Sequence, residues 1–313
     1  MPPSAIVSRN CVIGIAVATI VIAGPALLGA MGFVRARRSP ESEMSSTDAC
    51  WNWKLTLSSS LLYVLAFNLT FFIQEFFLVL PKAFTPGLRP TLFHNNHSWE
   101  GEHPLASLFQ GTGALAIFLS GVICALLLRR GAGRSATVRL LLIWMAYSGF
   151  FMALPQVVIG AISPASDVGM AMAFLDLGVT TRMVLALAAL AAMPPVAVWL
   201  TRYLFTVAED PARLAHGRGR TRFVFYVATL PALVAILLII PFRVPRELIE
   251  VVMVPVVVTV IGIAWMQACA WRVTPAKMAG SSTTTGSIIW PLTAVALLLF
   301  AFQVVLRPGI AFF

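Results

Sequence analysis

Long apolar stretches without charged residues dominate the sequence. About 20 apolar residues of helix cross a bilayer core, and backbone groups inside lipid must be bonded internally, in helices or in closed barrels. No stretch shows the alternating pattern of a barrel strand, so the sequence predicts an all-α, polytopic integral membrane helical bundle with eight transmembrane helices. The eight stretches of 19 or more residues without Asp, Glu, Lys or Arg are 10–34, 55–74, 104–128, 140–166, 183–201, 223–242, 251–271 and 278–306.

Two further features refine this prediction. Residues 168–181 are apolar but too short to span, so we expect an interfacial or re-entrant helix there. The long basic connection 202–222 divides a single membrane domain into two parts. The first part is 1–208, with spans one to five and a histidine-rich loop at 81–104, and the second part is 209–313, with spans six to eight.

Composition agrees with the pattern. The chain is 59% hydrophobic and 11% charged, with a mean hydropathy of +0.90, whereas soluble domains carry about 25% charged residues. This excludes an ordinary soluble enzyme, a disordered chain and a secreted disulfide scaffold. The four cysteines, Cys11, Cys50, Cys124 and Cys269, are isolated from one another, so neither a disulfide framework nor a thiolate metal site is predicted.

Basic residues are divided unevenly between the two sets of predicted connections. The connections after spans one, three, five and seven carry 15 of the 22 Lys and Arg residues. The positive-inside rule makes these connections cytoplasmic, so we expect a bacterial inner-membrane protein with both termini outside the cytoplasm. The net charge of +10 then reflects insertion and anionic lipid. The expected partners are membrane lipids and a membrane protein or peptide, with no nucleic acid, because no soluble domain carries the charge.

Three of the four histidines lie within ten residues of one another. His94, His97 and His103 fall in TLFHNNHSWEGEHPL, in the longest predicted outside loop. Imidazole suits zinc and other divalent transition metals, and the first two histidines converge on one ion if the local turn is helical. The stretch therefore predicts a zinc-type site. An ordinary solvated loop is the alternative, because the asparagines, glycine and proline of the same stretch are turn residues.

Glu75 stands among phenylalanines near the end of the second span, in FIQEFFLVLPK. A carboxylate inside a bilayer is costly unless it is paired or protonated, and a functional role is the default expectation for it. One interpretation makes Glu75 a catalytic general base. The other places it at the outer boundary, where it reaches water or pairs with Lys82.

Asp167 follows the fourth span, on the same predicted face as the histidine loop. One interpretation makes it the N-cap of the short helix, since Ser166 and Asp167 precede its apolar run. The other makes Asp167 a metal ligand or an orienting carboxylate beside Glu75.

Three segments together resemble the site-2-protease-like membrane metalloproteases. They are IQEFFL at 73–78, GTGALAIFLSGVICALLLRR at 111–130 and GFFMALPQVVIGAISPASDVG at 149–169. The resemblance covers about residues 60–180 and implies a shared helical core.

This resemblance also implies roles for individual residues. Glu75 matches the family's general base, and Asp167 approximates its zinc-ligating aspartate. Gln74 and Leu78 occupy the positions of the family's two zinc histidines. The HExxH motif is therefore degenerate, and a zinc ion would need ligands from the three histidines of the loop.

Three functions remain open from the sequence. The first is a non-catalytic membrane protein, either a relative of the membrane metalloproteases or a subunit of a membrane complex, favoured because no catalytic motif is intact. The second is a metal-dependent intramembrane hydrolase in which the histidine loop binds the metal and Glu75 activates a bound water. The third is a transporter whose path is lined by Glu75, Gln110, Gln156 and the span prolines.

Overall fold

The computed structural model describes residues 11–38, 51–133, 135–245, 248–276 and 286–313. It is 78% helical, and eight of its helices are long and apolar enough to cross a membrane. The prediction of an all-α polytopic bundle with eight transmembrane helices is confirmed. Outside the described residues lie Cys50 and four of the basic residues counted above: Arg9, Arg134, Arg246 and Lys277.

Each predicted span corresponds to one helix, and a short helix lies between the fourth and the fifth spans. The helices are α1 (Cys11–Arg38), α2 (Trp53–Ala83), α3 (Ala106–Arg129), α4 (Ala136–Ile162), α5 (Asp167–Phe174), α6 (Val179–Val207), α7 (Gly217–Arg243), α8 (Leu248–Cys269) and α9 (Ile289–Leu306). The short helix α5 is only eight residues long, so it cannot span.

The N-cap of α5 is Ser166, whose hydroxyl accepts a hydrogen bond from the Gly169 N–H at 3.3 Å. Asp167 is the first residue inside the helix. The interpretation of Asp167 as the cap is therefore wrong, because the serine one residue earlier already satisfies the free backbone donor. The Asp167 carboxylate is left for other contacts.

The histidine loop contains a β-hairpin that the sequence pattern did not predict. Strand β1 (Arg89–Leu92) pairs antiparallel with β2 (His97–Glu100), and β3 (Ile310–Ala311) pairs with the other edge of β1. The Phe93 N–H donates to the Asn96 carbonyl at 2.8 Å, which closes the turn between the strands around His94 and Asn95. The connection from His94 to His97 is thus a hairpin turn rather than the helical turn that a shared metal would favour.

This small sheet marks one face of the bundle, called here the hairpin face. Helices α2, α4, α7 and α9 end at the hairpin face, and the opposite ends of the spans form what we call the loop face. The pairing of β3 with β1 places the described C-terminal residues on the hairpin face.

The core is centred on α2 and α4. Their membrane-spanning windows are 67% buried, against 11% for α1 and α9. Between the two helices pack the fully buried rings of Tyr63, Trp144 and Tyr147. The Tyr147 hydroxyl also donates to the Thr259 carbonyl at 2.7 Å. These two helices therefore form a rigid centre to which α8 is tied by a buried hydrogen bond.

Close packing of α3 fixes the end of α2 that carries Glu75. A Cβ atom on Gly113 would lie 2.7 Å from Leu78 Cγ and 2.9 Å from the Gln74 carbonyl oxygen. Glycine thus allows the two backbones to approach, as small residues commonly do between membrane helices.

Candidate functional site

Glu75 forms a buried ion pair with His97. Glu75 Oε2 lies 2.9 Å from His97 Nδ1, and the two side chains are only 6% and 7% exposed. Glu75 lies about two turns before the end of α2, and His97 is the first residue of β2. The hairpin therefore covers the end of α2 and supplies the partner that a carboxylate in this position requires.

Lys82 lies beside this pair. It is seven residues after Glu75, and this spacing places both on one face of α2. The side chain is fully buried, and its Nζ donates to the Leu78 carbonyl at 2.8 Å. Nζ is also 4.5 Å from the ring centroid of Trp99, a favourable cation–π distance.

Trp99 joins Lys82 to the histidine. Residues 97 and 99 share one side of β2, and the Trp99 and His97 rings stack with centroids 5.7 Å apart and an interplanar angle of 13°. The interpretation in which Glu75 pairs with Lys82 is wrong, because Glu75 pairs with His97 instead. Within the described part of the chain, no carboxylate oxygen approaches Lys82 Nζ to 4.0 Å.

Asp167 completes a group of four ionisable side chains. Burial raises the pKa of its carboxyl above the usual value, and the negative charge of Glu75 raises it further. His97 and Lys82 act in the opposite direction. Glu75, Lys82, His97 and Asp167 are named here the charge cluster. The charge cluster therefore combines two carboxyl groups with two basic groups.

The raised pKa of Asp167 predicts an unusual effect of Asp167→Asn. A carboxyl whose folded-state pKa is raised contributes stability at acid pH that is lost as the pH rises through that pKa. Asp167→Asn should therefore match the wild type at acid pH and become the more stable protein at neutral pH. Thermal unfolding in detergent between about pH 4 and pH 8 checks this. A variant that is less stable than the wild type at every pH would contradict it.

A pocket opens beside the charge cluster, between α2, α4, α5 and α8. Its volume is about 340 Å³. Its lining is mainly apolar, with the polar groups of Gln74, Gln156, Ser166 and Asp167. Gln156 Nε2 donates to Gln74 Oε1 at 2.8 Å, so the two amides form one polar strip on the pocket wall. This cavity is called here the lateral pocket.

One buried polar atom of the charge cluster stands out. His97 Nε2 has no hydrogen-bond partner within the described ranges. Buried polar atoms are normally paired, and exceptions often mark a functional site. His97 thus carries a carboxylate on one ring nitrogen and an unused second nitrogen, which is the arrangement of an oriented proton acceptor or metal ligand.

The other two histidines of the predicted metal site have different partners. His94 is buried, and its Nε2 lies 3.1 Å from the Val244 carbonyl oxygen. His103 is partly exposed, and its Nδ1 accepts from the Leu105 N–H at the start of α3. Over the residues that the structure describes, no three His, Cys, Asp or Glu side chains are placed to share a metal ion. These residues therefore do not offer the ligand set of a zinc site.

Sequence reasoning missed two members of the site. From the sequence, Trp99 was expected to be an interfacial anchor, and Gln74 was noted only because it occupies the position of a zinc histidine in the resembling family. The sequence signal available for this site was the seven-residue spacing of Glu75 and Lys82, which places both on one face of α2. The position of Trp99 could be predicted only if residues 97–100 were known to form a strand, because alternate residues of a strand share one side.

Comparisons of the chain with protein-family models, with curated proteins and with solved structures find no match. The fold and the site therefore define a class only: a multi-pass membrane protein with a buried charge cluster under a β-hairpin.

Proposed function

We propose that the protein is a non-catalytic, membrane-embedded binding protein for a small amphiphilic molecule with a cationic or hydrogen-bond-donating head. One observation carries this proposal. Asp167 lies on the wall of the otherwise largely apolar lateral pocket and is electrostatically coupled to the buried Glu75–His97 pair. An apolar cavity with a few convergent polar groups and a residue of perturbed pKa is the usual form of a ligand site.

The pocket dimensions limit the ligand to a small molecule. A volume of about 340 Å³ is near the lower end of the range for small-molecule sites. Two of the lining residues, Ile159 and Met253, are 50% and 51% exposed. Both belong to spanning helices, so the entrance faces lipid and a ligand would enter from the bilayer.

Binding is expected to be linked to protons. An ionised Asp167 attracts a cationic head, whereas the protonated carboxyl does not. Since the pKa of Asp167 is raised, affinity for a cation should increase as the pH rises through that pKa. The charge cluster would then exchange a proton for a ligand.

The test uses a short alkylammonium probe. Hexylammonium should bind saturably to the full chain in nanodiscs, above the partitioning into empty nanodiscs, and Asp167→Asn should weaken binding roughly tenfold, the loss expected for one charge-assisted contact. Asp176→Asn is the matched control, because Asp176 is exposed, lies just beyond α5 and has a positive φ that asparagine tolerates. Calorimetric titration at two pH values measures both effects.

Two results would reject this binding function. The first is an absence of saturable binding at any pH. The second is an equal loss of affinity in Asp167→Asn and Asp176→Asn, which would mean that only surface charge attracts the probe.

A hydrolase remains the second candidate because of the unused His97 Nε2. In this function Glu75 would orient the imidazole, and His97 would accept a proton from the attacking water. Elemental analysis of the purified protein addresses the metal-dependent version. About one metal ion per chain that disappears in His97→Ala would favour the hydrolase over the binding protein.

A further inference from the structure

A large groove lies on the opposite side of the molecule from the charge cluster. It opens between α1 and α7, has the end of α8 as its floor and encloses about 1660 Å³. Its membrane-facing part is apolar, with Val21, Ile22, Phe225, Val260 and Ile263 along the walls. We call it the α1/α7 groove.

Two tryptophans of the α8 region hold α1 in place. Trp265 Nε1 donates to the Ile20 carbonyl at 2.8 Å, and Trp271 Nε1 donates to the Leu28 carbonyl at 3.2 Å. A π-helical turn, Ala18–Ala23, precedes Pro25, which has no N–H to donate. The Ile20 carbonyl, five residues before Pro25, is bonded by Trp265 of α8 instead, so α1 is attached to α8 at this turn and the groove lies between α1 and α7.

Five arginines surround the loop-face end of the groove. They are Arg35, Arg218, Arg220, Arg222 and Arg272. No Asp or Glu side chain is among the described residues that line it. Arg35 and Arg272 each place a guanidinium carbon 5.7 Å from the Trp271 ring centroid, and Arg218 donates to the Ala36 carbonyl of α1. The cations are therefore concentrated at one level of the membrane.

Arg220 adds a second, independent feature. Its Nη1 donates to the Val273 carbonyl at 2.8 Å, which fixes the guanidinium group. Its Nε is buried and has no hydrogen-bond partner in the ranges that the structure describes. A positioned donor beside four other cations suits an anionic oxygen, since the planar guanidinium pairs well with phosphate.

We propose that the α1/α7 groove binds one anionic phospholipid. The phosphate would lie among the five arginines, and the acyl chains would extend along the apolar walls. Basic pockets between membrane helices recognise anionic head groups in this way. The occupant is a lipid rather than a soluble anion, because the long apolar part of the groove opens to the bilayer and would be left uncovered by a phosphate alone.

The experiment compares lipids retained by the full chain. Protein from vesicles of equal phosphatidylglycerol and phosphatidylcholine is extracted in mild detergent, and the bound lipids are counted by native mass spectrometry. We expect the wild type to retain phosphatidylglycerol about tenfold better and Arg220→Gln/Arg272→Gln to lose this preference. The control is Arg129→Gln/Arg130→Gln, which removes two exposed arginines from the same face outside the groove.

A second variant tests the apolar part without changing charge. Ala26 is exposed on the groove wall, so Ala26→Trp should fill the chain-binding region and lower retention of both lipids. Equal retention of the two lipids by the wild type would overturn the proposal. An equal loss in both arginine pairs would also overturn it, by assigning the preference to general surface charge. Unchanged lipid retention in Ala26→Trp, with a dimer that persists after delipidation, would assign the groove to a second copy of the chain.

Discussion

Replacement of Glu75 by leucine is expected to lower the free energy of unfolding by about 3–5 kcal/mol, the usual effect of removing one partner from a buried ion pair. Glu75 is 5% exposed and bonds His97 at 2.9 Å. Without the carboxylate, His97 loses its partner on Nδ1, and Lys82 loses a nearby negative charge. Leucine has a volume close to that of glutamate, so we expect the effect to be mainly electrostatic.

The measurement is thermal or denaturant unfolding in detergent, together with hydrogen exchange of the hairpin amides. Exchange should increase in β1 and β2 more than in α4, because the ion pair attaches the hairpin to α2. Glu100→Gln is the matched control, since Glu100 is exposed on the same hairpin and surface changes stay within about 0.5 kcal/mol. In a double-mutant cycle, His97→Leu should lower the free energy of unfolding much less in the Glu75→Leu variant than in the wild type. Additive effects would mean that the pair contributes nothing.

Most of the bundle could be predicted from the sequence because lipid imposes a strong rule. Every backbone group in the bilayer needs an internal partner, so a run of about 20 apolar residues without strand alternation predicts a transmembrane helix. The ends of the helices were less predictable. The second helix continues through Pro81 and Lys82 to Ala83, since the buried Lys82 ammonium donates to the Leu78 carbonyl and lies over the Trp99 ring, contacts that hydropathy does not describe.

The site was harder to predict because it depends on a strand register. His97 and Glu75 are 22 residues apart, and their contact requires β2 to fold back over the end of α2. Three histidines in one loop suggested convergence on a metal. A β-strand sends alternate side chains to opposite faces, so local density of histidines does not place them together. One of the two interpretations of Asp167 placed it beside Glu75, and the two carboxyl groups do interact electrostatically in the charge cluster.

The two proposed sites share a physical principle. In each, we propose that an apolar cavity opens to lipid and carries ionisable groups at one end: the Asp167 carboxyl at the lateral pocket and five arginines at the α1/α7 groove. Ligand selection at each site then depends on the sign of the head group. This separation also makes the two sites experimentally independent, because a variant at one end leaves the residues of the other unchanged.

Replacement of Lys82 by methionine is expected to cost about 1–3 kcal/mol at neutral pH, because Glu75 and Asp167 lose the favourable electrostatic interaction with a nearby buried cation. Methionine retains most of the volume of the lysine chain but removes its charge. Glu75 and Asp167 then keep only His97 as a basic neighbour in the charge cluster. Lys54→Met is the matched control, because Lys54 is exposed at the other end of the same helix.

The pH dependence distinguishes lost charge from lost packing. Lys82 normally lowers the pKa of Asp167, so Lys82→Met should raise it further, and Asp167 should take up its proton at higher pH. Stability of the variant is then lost as the pH rises through that higher pKa, which makes the penalty smaller at acid pH than at neutral pH. Lys82→Met/Asp167→Asn should recover most of the loss, because one positive and one negative charge are removed together. A penalty that is independent of pH and is not recovered in the double variant would show that Lys82 acts only through packing.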